Sequence, residues 1–181
     1  MVLPEGDPMR INIQYHKTPY GELILGSFKD QLCLCDWRYR KMRDRIDQRI
    51  TKGLNTSFAE QDDDILRAAR EQLDQYFNHG RKAFDLPILM TGTEFQKQVW
   101  NELLNVPYGQ TVTYLQLSRN LGNEQAIRAV AAANGANAIS IMIPCHRIIG
   151  SDGKLIGYAG GLKAKQKLLE LENNLFSQVH P

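Results

Sequence analysis

The stretch Ile139-Ser140-Ile141-Met142-Ile143-Pro144-Cys145-His146-Arg147 runs an apolar segment into a proline, then sets a thiol, an imidazole and a guanidinium side by side. The apolar part reads as a strand. Pro144 fixes its own φ and removes a backbone donor, so Cys145 gains a defined, non-helical position that a core-filling cysteine would not need.

Upstream of this stretch the chain reads as helices. Thr93-Glu94-Phe95-Gln96 has capping-box spacing, is followed by Val99, Trp100, Leu103 and Leu104, and is stopped by Pro107-Tyr108-Gly109. The same spacing recurs at Thr113-Tyr114-Leu115-Gln116, which opens a short helix ending at Leu121-Gly122. A third helix is predicted from about Glu124 to Ala133. Two short helices about a glycine turn make a helix-turn-helix candidate. Downstream, Asp152-Gly153 between Ile148-Ile149 and Leu155-Ile156 predicts a hairpin turn, and Gly161 to Glu172 predicts a closing helix.

The N-terminal half reads differently. Residues Ile11 to Trp37 alternate apolar and polar side chains with breaks at Pro19-Tyr20-Gly21 and near Lys29-Asp30, which predicts short antiparallel strands. Arg38 to Arg49 is a charged helix or loop, and Thr51 to Gln61 a polar connector. Asp62-Asp63-Asp64 then opens a helix with Ile65, Ala69, Leu73 and Tyr76 or Phe77 on one face. The fold class is therefore α+β: a small α+β domain over residues 1–88, then a mainly helical domain over 91–181 that carries the helix-turn-helix.

Composition limits the function. With 23% charged residues and a mean hydropathy of -0.40 the chain reads as soluble. Its most apolar stretch, Ala126 to Cys145, is interrupted by Arg128, Asn134, Gly135, Asn137 and Pro144, so no membrane span is expected. The N-terminus lacks a signal-peptide core, which points to a cytoplasmic protein with unpaired cysteines. The basic excess is small: 14 basic and 14 acidic residues before Thr91, 8 and 6 after it. Electrostatics alone would not suggest nucleic acid.

Arg128-Ala129-Val130, Asn137, Pro144-Cys145-His146-Arg147, Gly157-Tyr158-Ala159-Gly160-Gly161 and Glu172 together resemble the O6-alkylguanine-DNA alkyltransferases, or methylated-DNA-protein-cysteine methyltransferases. The likeness is close from Thr91 to about Asn173 and loose before that. It implies a DNA repair protein acting on double-stranded DNA that contains O6-alkylguanine. An alkyl group would pass from O6 of guanine, and less efficiently O4 of thymine, to Cys145 in a single turnover. No cofactor is implied, and the protein would act as a monomer.

The resemblance also assigns roles by position. A free thiol with a pKa of about 8.5 is mostly protonated at neutral pH. Adjacent side chains on an extended segment face opposite ways, so His146 is not expected to touch the sulfur. The family places a water between Cys145 and His146, with Glu172 on the far side of the imidazole. Tyr114 would donate a proton to the departing base, a role its phenol suits chemically. The third helix offers alanines and one arginine in place of the usual base-reading side chains, which suits close approach to a narrow groove. By resemblance it enters the minor groove, with the damaged base flipped outward and Arg128 filling the gap. Arg128, Tyr114, Ala129 and Asn137 are thus expected at DNA, and Pro144, Ile148, Tyr158, Ala159 and Gly160 around the substrate. Ala131, Ala138 and Ile148 stand where the family often has glycine, proline and valine.

Blander readings exist for each residue. His146 alone could satisfy backbone carbonyls, Glu172 could be a solvated helix-end acid, and some of the alanines must pack in the core. Cys33 and Cys35, two apart in a strand, are expected to face one way as packed small hydrophobes. Their spacing with His16 or His79 matches no recognisable zinc motif, and no metal is expected. Two other functions fit parts of the pattern: a helix-turn-helix regulator, disfavoured by the alanine-rich helix, and a cysteine hydrolase, which would turn over without DNA.

Overall fold

The computed structural model describes residues 9–173. Three strands, β1 (Ile11–Thr18), β2 (Gly21–Phe28) and β3 (Gln31–Trp37), form an antiparallel meander. Lys29 and Asp30 both take positive φ, as a two-residue hairpin turn requires. The helix α1 (Arg43–Gly53) then leads to β4 (Phe58–Glu60), which pairs parallel to β1 and gives the order β3-β2-β1-β4. The polar connector expected from Thr51 to Gln61 is thus partly helix and partly strand. Its polarity follows from its position at the sheet edge, where Phe58 and Ala59 are only half-buried.

The helix α2 (Asp64–Asn78) starts at Asp63, whose side chain accepts from Leu66 N at 2.9 Å. The same carboxylate accepts from Asn12 at 2.8 Å and from Ser27, which ties the helix start to the sheet. One sheet face packs Ile11, Ile13 and Ile24 on Ile46 and Ile50 of α1. The other packs Leu23, Leu25 and Leu32 on Leu66, Leu73 and Tyr76 of α2, and this core continues without a break into the C-terminal half.

Cys33 and Cys35 do not face the same way. The β2–β3 register shifts beside Gly26 and Ser27, leaving Cys33 unpaired as a bulge, so Cys33 joins the α1 core and Cys35 the α2 core.

The C-terminal half contains α3 (Glu94–Leu103), β5 (Val112–Thr113), α4 (Tyr114–Asn120), α5 (Ile127–Gly135), β6 (Ile148–Ile149) and α6 (Leu162–Glu172). Thr93 and Gln96 close a full capping box on α3. On α4 only half of that device forms. Thr113 accepts from Gln116 N at 3.0 Å, but the Gln116 side chain turns to Asn120 at 2.8 Å. Gly122, at φ +81°, turns the chain from α4 through a short 3-10 turn at Glu124–Ala126 into α5.

Two elements expected from the sequence, the strand from Ile139 and the hairpin after Ile149, do not form. The apolar run from Ile139 is an irregular loop, with Ile141 at φ +72°. It docks on the free edge of β3 through Cys35 N to Ala138 O at 2.9 Å and Ser140 N to Cys35 O at 2.6 Å. Residues Pro87 to Leu89 bind the same edge at Leu32. Together they cover a strand edge that would otherwise expose unpaired backbone. The predicted hairpin after Ile149 is a turn without flanking partner strands: Gly150 N donates to Lys154 O at 2.9 Å, while β6 pairs parallel with β5. No described helix is long and apolar enough to cross a membrane.

Candidate active site

Cys145 begins a 3-10 turn, Cys145–Arg147, directly after Pro144. The extended conformation expected there does not form, so strand alternation cannot explain where His146 points. Cys145 is 3% exposed and lies in the wall of a cavity of about 730 Å³ that opens to solvent. Burial pushes its thiol above the ordinary value; the Asn137 amide and the positive charges of Lys165 and Arg40 act the other way without overcoming it. The thiol therefore needs a base to react.

A candidate for that base stands next in sequence. His146 is fully buried, and its Nε2 meets Glu172 Oε1 at 2.7 Å. Glu172 ends α6, and its carboxylate accepts Arg147 Nε and Nη2 at 2.9 Å each, and the Tyr76 hydroxyl at 2.7 Å. Arg147 Nη1 donates to Val106 O at 2.7 Å. Burial would raise Glu172, but its hydrogen bonds and ion pairs with His146 and Arg147 win and hold it at about 2. Burial also lowers His146 against the pull of Glu172.

These directions fix the tautomer. An ionised carboxylate only accepts, so Nε2 must carry the proton, and in a neutral ring Nδ1 is then a bare lone pair. Nδ1 is buried and has no hydrogen-bond partner among the described residues. An unsatisfied buried acceptor costs about 1–3 kcal/mol. The arrangement holds a neutral imidazole with its basic nitrogen free.

Tyr114, at the start of α4, lines the same cavity, and its hydroxyl donates to Ile156 O at 3.4 Å. Desolvation, then the nearby Cys145, raise its pKa, so the phenol stays protonated. Tyr158, Ala159 and Gly160 also line the cavity. Pro144 and Ile148, expected there, are buried behind it, and the Ile148 carbonyl is taken by Lys165 Nζ. Asn137, expected at DNA, is 1% exposed. Its amide donates to Ile143 O at 2.9 Å and accepts from Ile139 N at 2.9 Å, so it braces the loop that leads to Cys145.

The small side chains of α5 divide. Val130 and Ala133 face the core, Ala131 reaches the cavity, and Ala129 and Ala132 are exposed. Arg128 is exposed beside them and makes no hydrogen bond or ion pair among the described residues.

Four contributors escaped the sequence reading. Arg147 stands in the quoted motif, but nothing in the sequence aims it at Glu172. Tyr76 was placed only on a packing face. Lys165 is fully buried and donates to Ile148 O, to Ile156 O at 3.1 Å and to Gly157 O at 3.3 Å, gripping both ends of the 150–156 loop. Its spacing with Leu168, Leu169 and Glu172 on the inner face of α6 was a legible sign of burial. Trp37 enters from the N-terminal sheet. Among the described residues no cluster of His, Cys, Asp and Glu could hold a metal ion.

Fold and site define a class: an α+β protein with a helix-turn-helix beside a cavity that presents one cysteine backed by a His-Glu pair. Residues 94–174 match the 6-O-methylguanine DNA methyltransferase DNA-binding domain, and residues 11–90 match the ribonuclease-like domain of the same family. A methylated-DNA-protein-cysteine methyltransferase of Methanosarcina acetivorans is 49% identical over 114 residues, 63% of this chain and 73% of that one. The crystal structure of Mycobacterium tuberculosis O6-methylguanine methyltransferase superposes with a TM-score of 0.76 at 34% identity, covering 91% of this chain and 93% of that one. The Mycobacterium tuberculosis OGT structure in complex with DNA also gives 0.76, at 34% identity, over 90% and 93% of the two chains. The chain belongs to the methylated-DNA-protein-cysteine methyltransferase family.

Proposed function

We propose that this protein repairs DNA by moving an alkyl group from O6 of guanine, and less efficiently from O4 of thymine, to Cys145. The observation that carries the reading is the buried thiol beside a neutral imidazole whose free Nδ1 is opposed by an ionised, fully partnered Glu172. The thiol proton passes through a bridging water to Nδ1, and sulfur attacks the alkyl carbon in line with the departing oxygen. The carbon–O6 bond breaks, its electron pair stays with the base, and Tyr114 supplies the proton that neutralises it. The thiol hydrogen is thus exchanged, in the net reaction, for the alkyl group. The product thioether offers water no activated bond, so each chain reacts once.

The duplex is entered from the minor groove by α5, whose exposed Ala129 and Ala132 allow close approach while the unpaired Arg128 replaces the flipped base. The parts divide as residues 1–88 and 91–181, and the protein works as a cytoplasmic monomer without a cofactor. Incubation with an excess of duplex containing O6-methylguanine tests the reading. Transfer stopping at one methyl group per chain is the expected result, and continued release of product would make the protein a hydrolase.

A further inference from the structure

Trp37 ends β3 in the N-terminal sheet, yet it lines the same cavity as Cys145, Tyr114 and Tyr158. Its backbone is fixed by the fully buried Asp36, which accepts from Trp37 N at 2.9 Å and pairs with Arg40 and Arg43 at 3.0 Å each. The indole is fixed as well. Its pyrrole side lies against Gly160, where an added Cβ would stand 2.6 Å from Cε2, 2.7 Å from Cδ2 and 2.8 Å from Nε1. Its benzene edge lies against Gly21, where a Cβ would stand 3.1 Å from Cζ3. Gly160 and Gly21 therefore pin the ring between the active-site loop and the β1–β2 turn.

From this position the indole Nε1–H donates to the Tyr158 hydroxyl at 3.0 Å. The two rings meet edge to face, with centroids 6.0 Å apart at 73°. Tyr158 in turn stands edge-on to the His146 imidazole at 6.4 Å and 70°. A chain of contacts thus runs from the N-terminal sheet to the catalytic imidazole. We infer that Trp37 is a positioning residue for Tyr158, and that the two rings together form the wall limiting the size of the O6 substituent the site admits. This rests on the alkyl-transfer reading of Cys145. The physical reason is the packing: a wall braced by two glycine contacts and a hydrogen bond has no room to retreat before a larger group.

Single-turnover transfer to Cys145 from duplexes carrying O6-methylguanine or O6-benzylguanine tests it, in wild type, Trp37→Phe, Tyr158→Phe, the double variant and Trp37→Ala. Trp37→Phe keeps a ring between the glycines but loses the N–H. Each Phe variant should slow methyl transfer about two- to tenfold, the worth of one hydrogen bond. The half-saturating duplex concentration should not move, because the ring lies inside the pocket. Since both variants delete one shared bond, the double variant should be no slower than the slower single. Trp37→Ala should raise the benzyl-to-methyl rate ratio by about tenfold or more, the least that one group's worth of pocket shape discriminates. Losses that multiply in the double variant, or an unchanged ratio in Trp37→Ala, would overturn the inference. If wild type transfers neither group, the alkyl-transfer reading itself fails. If wild type transfers and the Trp37 variants match it, only the role of Trp37 fails.

Discussion

Replacing Glu172 by glutamine removes the one negative charge from a buried cluster while nearly preserving its shape. In the folded protein that carboxylate accepts from His146, Tyr76 and both arms of the Arg147 fork. Glutamine leaves the Arg147 guanidinium, 7% exposed, without a counter-charge. Breaking a buried pair in this way costs about 3–5 kcal/mol. The titration of Glu172 gives a similar figure. A carboxyl held at about 2, against an ordinary 4.5, contributes roughly 3 kcal/mol at neutral pH. Because the folded value is the lower one, this stability is present above pH 4.5 and is lost as the pH falls toward 2. At about 2–4 °C per kcal/mol for a chain of this size, the melting temperature should drop by roughly 6–20 °C at pH 7. The difference from wild type should shrink below pH 4. Thermal melts of both proteins at pH 7 and pH 3 measure this, and single-turnover rates in cold buffer, where the variant is folded, should also be reduced. Equal stability at pH 7 together with an unchanged rate would refute the roles given to Glu172.

Tyr114→Phe should slow methyl transfer from duplex DNA while leaving the melting temperature within about 1 °C, and an undiminished rate would exclude proton donation by that hydroxyl. Arg128→Ala should cripple duplex repair by an amount on the order of the few kcal/mol of base unstacking, yet spare reaction with free O6-benzylguanine; equal losses on both substrates would remove it from base replacement. Lys165 is held near 8 by burial, below its ordinary 10.5, so its buried charge opposes folding below pH 8 and this penalty is relieved as pH rises from 8 toward 10.5. Stability measured across that range should therefore rise relative to Lys165→Met, and parallel curves would contradict the assignment. Cys33, raised to about 12, and Cys35, raised further, should resist alkylation by iodoacetamide in the native state, which peptide mapping would show.

The helices and their stops were legible because their signals are local. Thr93 with Gln96, Asp63 before α2 and Gly122 before α5 act within a few residues of themselves. What escaped depends on distant partners. Cys33 and Cys35 part company because of a bulge set by the register with β2, which strand alternation cannot show. The run from Ile139 has strand composition, but it is fitted to the edge of β3 by Ala138 and Ser140, more than a hundred positions from Cys35. The family resemblance set Asn137 at DNA, and only the fold reveals that its amide is spent on Ile139 and Ile143. The site is likewise closed by Tyr76 and Trp37 from the N-terminal half. Their part could not be read from the motif, because Tyr76 reaches Glu172 and Trp37 reaches the cavity wall only through the fold.

Peptide mapping by mass after incubation with a duplex carrying one O6-methylguanine tests the central claim most directly. One peptide, the one containing Cys145, should gain the mass of a single methylene, in step with loss of the lesion, and Cys145→Ala should gain nothing. A modification at Cys33, Cys35 or any other residue, or repair that leaves Cys145 unmodified, would contradict the account.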